Sequence, residues 1–139
     1  MAIPQSTNLK GINDLFARAD RAITHPRIKL QHSEGKFILS VISKGRRYAG
    51  EIAVTSDGAY EDRVWYGRIT LEGEWKPTLA GRQCEKLEPT LRCLARDPKA
   101  TMAIIGRRYG VCCLCGRELT NAASIAAGIG PICVEKFGI

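Results

Sequence analysis

The chain has 139 residues, 45% hydrophobic and 25% charged, with 21 Lys and Arg against 14 Asp and Glu, a net charge of +7. Ordinary apolar content excludes a disordered chain, and the length fits one domain with at most a small appended module. No apolar stretch approaches the ~20 residues of a membrane span. The opening Met1-Ala-Ile-Pro-Gln has no basic segment leading into an apolar one, so no secretory leader is read and a cytoplasmic protein is expected.

The excess charge is uneven: residues 1–50 carry +6, residues 51–75 carry −4 and residues 76–139 carry +5. A basic balance favours polyanions such as nucleic acid. Basic flanks around an acidic segment also suit a protein partner of mixed charge, or self-association.

Leu9, Ile12, Leu15, Phe16, Ala19 and Ile23 recur at steps of three and four, with Lys10, Asp14, Arg18 and Arg21 on other faces. This predicts an amphipathic helix over 9–23, capped by Asn8 and ended by His25-Pro26, whose apolar stripe covers a sheet. From residue 27 to 75 the period becomes two, predicting strands over 27–31, 36–43, 48–55 and 64–71 and a short one around Trp75 that Pro77 stops. The short links between them favour an antiparallel meander, because parallel crossovers need a dozen or more residues. Beyond residue 80, Leu87, Leu91 and Leu94 return to helical spacing, with Pro89 starting or kinking the helix. Asp97-Pro98 then marks a second helix start, and Gly110 can cap the end of a helix carrying Met102, Ala103 and Ile105.

The last quarter is rich in cysteine: Cys112, Cys113, Cys115 and Cys133, out of six in the chain. Disulfides need an oxidising compartment, so a cluster of this kind reads first as a metal site. Cys112-x-x-Cys115-Gly116 has zinc-knuckle spacing: two intervening residues let a tight turn aim both sulfurs at one ion, and the glycine tolerates that turn. Pro131 suits the first turn of a helix, whose N-terminal partial charge favours the Cys133 thiolate. Zn2+ is therefore expected on Cys112, Cys115 and Cys133, with Cys113 as fourth ligand. Cys84, Cys93, His25, His32, a carboxylate or water are other ways to complete the site.

The stretch from Cys112 to Cys133, with its Leu119-Thr120, Ser124, Gly128-Ile-Gly130-Pro131 and final cysteine, resembles a small cysteine-rich module found in bacteriophage and prophage proteins. His25-Pro-Arg-Ile-Lys-Leu, Arg47-Tyr48-Ala-Gly and Trp65-Tyr-Gly-Arg-Ile69 are similar to the strand region of small phage proteins with this tail. The resemblance implies zinc and a phage origin, hence the cytoplasm of a host. It brings no activity with it. Where such proteins often have Asp, this chain has Asn121, so no carboxylate ligand is carried over.

Catalysis finds little support. Only His25 and His32 offer imidazoles, and no P-loop, H-E-x-x-H or G-x-S-x-G motif occurs. The Cys-x-x-Cys lacks the P-C-x-x-C context of zinc deaminases. No enzyme is expected. Binding is better supported: Lys44, Arg46, Arg47 and Tyr48 form a basic loop with an aromatic, Arg63, Trp65, Tyr66 and Arg68 lie on a following strand, and Arg107, Arg108 and Arg117 flank the knuckle. Cationic side chains neutralise phosphates and aromatics stack on bases, which suits single-stranded or structured nucleic acid. A basic surface and buried aromatics would explain the same residues without a ligand. The reading is an α+β domain over 1–110, an N-terminal helix on an antiparallel sheet followed by helices, then a knuckle or treble-clef-like zinc module over 111–139. Its partner is nucleic acid; a module that binds or inhibits a host defence or replication protein is the alternative.

Overall fold

The computed structural model describes residues 8–19, 27–32, 35–58, 60–110, 112, 118–120 and 122–123. Five strands, β1 (Arg27–His32), β2 (Gly35–Val41), β3 (Ile52–Ser56), β4 (Trp65–Ile69) and β5 (Trp75–Pro77), pair antiparallel in sequence order. Four helices accompany them: α1 (Lys10–Ala19) before the sheet, and α2 (Leu79–Gln83), α3 (Leu87–Arg96) and α4 (Pro98–Tyr109) after it. The class is α+β, an antiparallel meander with helices.

Register explains the core. Ile28 faces Leu39 and Leu30 faces Phe37 across β1 and β2, Leu39 faces Val54, and Ile52 faces Ile69, which in turn faces Trp75. Directly paired residues share a face, so these side chains make one apolar surface. Leu9, Ile12, Leu15 and Phe16 around α1, Leu87, Leu91 and Leu94 of α3, and Met102 and Ile105 of α4 bury against it as a single cluster. Arg27, Lys29, Lys36, Ile38, Ser40, Ala53, Thr55 and Arg68 alternate with the core residues and therefore stand on the opposite face. The three longer helices all lie on the first face.

Local chemistry fixes the helix ends. The Asn8 side chain accepts from Lys10 N–H at 2.9 Å and caps α1. Asp97 accepts from Ala100 N–H at 3.1 Å, Pro98 opens α4, and Gly110 closes it with φ of 70° while donating to the Gly106 carbonyl. Pro89 lies in the first turn of α3, which begins two residues earlier at Leu87, where a missing N–H costs nothing.

Three expectations need correction or restriction. The strand expected over 48–55 begins only at Ile52, because Tyr48 has φ of 65° and Gly50 has φ of 89°, and left-handed residues cannot continue a ladder. Helix α2 was absent from the periodicity: five residues are too few to show a stripe. The helix expected over 9–23 is present over Lys10–Ala19, and its remainder lies outside the described residues.

Helices α1 and α3 cross at Gly11. A Cβ there would come within 2.0 Å of the Ala95 carbonyl oxygen, so only hydrogen fits between the backbones. Alanine in place of a helical glycine ordinarily gains about 1 kcal/mol. Here the contact is backbone on backbone, and overpacking of this kind costs about 2 kcal/mol or more. Gly11→Ala is expected to lower the urea midpoint despite its better helix propensity; an unchanged or raised midpoint would mean that the helices separate freely.

Candidate nucleic-acid interface

The loop from β2 to β3 is closed by the backbone. Ile42 N–H donates to the Glu51 carbonyl at 2.8 Å and Gly50 N–H to the Ile42 carbonyl at 2.9 Å. Inside it, Ala49 N–H reaches the Arg46 carbonyl at 3.2 Å and Glu51 N–H the Tyr48 carbonyl at 3.0 Å. These turns hold Tyr48 in the left-handed region, which costs a residue with a Cβ about 1–2 kcal/mol. What the strained backbone achieves is placement of the phenol ring.

That ring meets the sheet at Arg68. The Arg68 guanidinium carbon lies 3.7 Å from the Tyr48 ring centroid, and the Arg47 guanidinium carbon 5.0 Å from it. Both are within cation–π range. Arg68 also donates from Nε to Glu51 Oε1 at 2.8 Å, with both side chains largely buried. One arginine thus joins the loop's aromatic, the loop's carboxylate and the face of β4 away from the helices. Arg47, Tyr48, Glu51 and Arg68 are brought together as one unit, and Lys44 and Arg46 lie in the same loop.

Further along the same face stand Trp65, 42% exposed, and Lys36, Lys29, Arg27 and Lys76. Trp65 arrives there through a bulge. Val54 pairs with Gly67 but Thr55 pairs with Trp65, so β4 carries one extra residue. Tyr66 turns into the core, its ring 5.0 Å from that of Phe37 in an edge-to-face contact, and Trp65 falls opposite Thr55 on the other face. Gly67 makes this possible at φ of 153°, since a Cβ would lie 2.7 Å from the Trp75 ring. Of the two tryptophans, then, Trp75 is core and Trp65 is surface.

Arg107 and Arg108 belong to the last turn of α4, in the helical layer. Arg107 Nε donates to the Ala103 carbonyl at 3.3 Å, and the Arg108 guanidinium lies 5.7 Å from the Tyr109 ring. Cations there also complement the helix dipole. The chain-order argument that grouped them with the loop is not needed for the loop's geometry. Arg117 lies outside the described residues, as do Cys113, Cys115, Cys133 and His25. Cys112 is described: it is buried, 1% exposed, within the core cluster. Leu119 N–H donates to the Gly110 carbonyl at 2.8 Å, so the two ends of the segment that holds the Cys-x-x-Cys meet. Cys84 is partly buried against the core and Cys93 is exposed on α3. Among the described residues no group of three or more His, Cys, Asp and Glu converges to hold a metal.

Sequence reasoning did not single out Arg27, Lys29 or the Glu51–Arg68 pair. The alternation Arg27-Ile-Lys29-Leu30 carried the signal for the first two; the pair arises only from the pairing of strands.

Residues 105–138 match the model of a family of unknown function, DUF6011. The match begins inside α4 and spans the whole cysteine-rich stretch. No curated protein and no solved structure matches the chain. Among the described residues, no helix is long and apolar enough to cross a membrane.

If Tyr48 is held by Arg68, the two side chains are energetically coupled. A double-mutant cycle of Tyr48→Leu and Arg68→Met, read by urea unfolding, is expected to give a coupling of about 0.5–1 kcal/mol. Strictly additive losses would mean that the ring contact contributes nothing.

Proposed function

We propose that this protein binds nucleic acid through the β2–β3 loop and the adjoining sheet face, and that its C-terminal segment is a zinc module. The binding reading rests on one observation above the others: a tyrosine contacted by both Arg47 and Arg68 stands in a loop that also carries Lys44 and Arg46. No acidic residue lies between Ser43 and Gly50, and the neighbouring Glu51 pairs with Arg68. Phosphate neutralisation needs such a cluster, and a rigid loop presents it without an ordering cost. Binding, with no chemical step, is the activity.

Zinc would be held by Cys112, Cys115 and Cys133, with Cys113 the fourth thiolate. Two features support it beyond the spacing: the closure of the segment by the Leu119–Gly110 hydrogen bond, and the position of Cys112 at the edge of the core, where a metal would tie the tail to the domain. The ion would serve structure, as a closed four-thiolate zinc does.

Fluorescence anisotropy with labelled oligonucleotides tests the first part. Affinity is expected to fall steeply with salt, and Arg46→Glu with Arg47→Glu is expected to abolish binding and reduce the salt slope by about two, one for each lost phosphate contact. Binding that ignores salt or survives this double reversal would point to a protein partner instead. For the metal, about one zinc per chain is expected by elemental analysis of protein purified without added metal, and release of zinc by chelation should unfold the tail. Protein purified without zinc or another thiolate-bound metal would end that reading.

A further inference from the structure

The face of the sheet turned away from the helices has a composition that a merely solvated face does not require. One cross-strand row runs Arg27, Ser40, Ala53, Arg68, Lys76 over all five strands. The next runs Lys29, Ile38, Thr55, Trp65 over four. Cations therefore hold the two edges, small or apolar residues form a low floor between them, and an exposed indole stands at one end. Lys36 pairs with Asp57 at 3.8 Å and Lys76 with Glu74 at 2.7 Å, while Arg27 and Lys29 have no ion pair among the described residues.

A second observation concerns the floor itself. Thr55 is 3% exposed, and its hydroxyl has no hydrogen-bond partner among the described residues. Leaving a buried hydroxyl unpaired is unfavourable. It lies directly across from Trp65, the one large exposed ring on this floor. Trp65 is set firmly by its backbone: its carbonyl accepts from the Thr78 hydroxyl, and the Tyr66 carbonyl accepts from Thr78 N–H at 2.9 Å. Because of the bulge, Trp65 and Arg68 stand opposite Thr55 and Ala53, two residues apart on β3, so they lie about 7 Å from each other along the sheet.

We infer that this face is a stacking platform for single-stranded nucleic acid, with Trp65 taking one unpaired base, the Arg68–Tyr48 stack marking the next station, and Arg27, Lys29 and the loop cations following the phosphates. The inference rests on the nucleic-acid reading above and adds strand selectivity to it. A duplex hides its base faces, so it gains nothing from an exposed indole; a single strand offers a π-face at every nucleotide, whichever its sequence. Charge complementarity selects this occupant over an apolar peptide, which would leave the cationic edges unmatched.

The experiment uses the full chain and its own fluorescence. Titration with a 12-nucleotide oligo-dT, an oligo-rU of the same length and a 12-base-pair duplex at one salt concentration is expected to quench tryptophan emission with both single strands and not with the duplex. The two single strands tell whether the sugar matters. Single strands should bind about tenfold tighter than the duplex. Trp65→Ala is expected to weaken oligo-dT binding about tenfold and to remove most of the quench, while Trp65→Phe retains most of the affinity. Both variants change an exposed side chain, and an unaltered urea midpoint checks that the fold is intact. Equal binding of duplex and single strand with unmoved emission overturns the platform but leaves loop-mediated binding standing. No salt-sensitive binding of any oligonucleotide overturns both.

Discussion

In β4 one residue more than the ladder needs is accommodated at Tyr66 and Gly67, and what each face of the sheet presents follows from it. Strict alternation from Ile69 and Arg68 would send Tyr66 outward with Arg68 and Trp65 inward with Ile69. The bulge resets the count, so that Tyr66 meets Phe37 in the core and Trp65 stands opposite Thr55. A half-buried tyrosine and an exposed tryptophan is the reverse of what size alone favours. The fold tolerates it because the core already holds Trp75 where a second indole would have to go, and because Gly67 leaves room for that ring. Bulges of this kind re-aim side chains near functional surfaces, and this one delivers an aromatic to the cationic face.

The helical layer makes that asymmetry affordable. With α1, α3 and α4 all on one face, hydrophobic burial is concentrated in a single cluster running from Leu9 to Leu119. The other face is then free of the demand to be apolar, and small side chains such as Ala53 and Thr55 are covered by their longer neighbours in the sheet. Within this division the left-handed Tyr48 makes sense as well. The loop has its own backbone closure, and strain at one residue is offset by a ring contact to Arg68 and the Arg68–Glu51 pair. Loop and sheet face are thereby joined through Arg68.

Much of this fold is legible in the sequence wherever the determinant is local. The cap Asp97, the proline after it and Gly110 delimit α4 within a single dozen residues, and the alternation of β1 and β2 gives both their period and their buried set. The failures share a cause. Tyr48 reads as a strand residue because aromatics favour strands, and nothing adjacent announces that its backbone turns left-handed. The bulge at Gly67 is invisible to a period-two count, since either parity fits Trp65-Tyr66-Gly67. Helix α2 exists because Gly81 lets it press onto the Tyr66 carbonyl, a contact made only in the folded chain. For the candidate site, the loop cations could be grouped because they are contiguous. Their tie to Arg68 and their separation in kind from Arg107 and Arg108 depend on which layer each element joins. The expected metal ligands rest on spacing alone, with Cys112 the one of the four within the described residues.

Charge shows the same distinction between chain and surface. Read along the sequence, residues 51–75 are an acidic block that should repel a polyanion from the middle of the molecule. Folded, three of its six acids are spent on cations: Glu51 on Arg68, Glu74 on Lys76 and Asp57 on Lys36. These pairs contribute little stability where they are exposed, at most about 1 kcal/mol each. Their larger effect is on the field. They cancel charge at β4, β5 and the far end of β2, while Arg27 and Lys29 on β1 have no ion pair among the described residues and the β2–β3 loop adds Lys44, Arg46 and Arg47. Arg27 pairs with Ser40, next to the point where β2 runs out into that loop, so the two sources are neighbours at one corner of the sheet. Positive charge on this surface is therefore gathered at that corner and thins toward β5, where Lys76 is paired with Glu74, and the exposed indole of Trp65 stands at the start of β4.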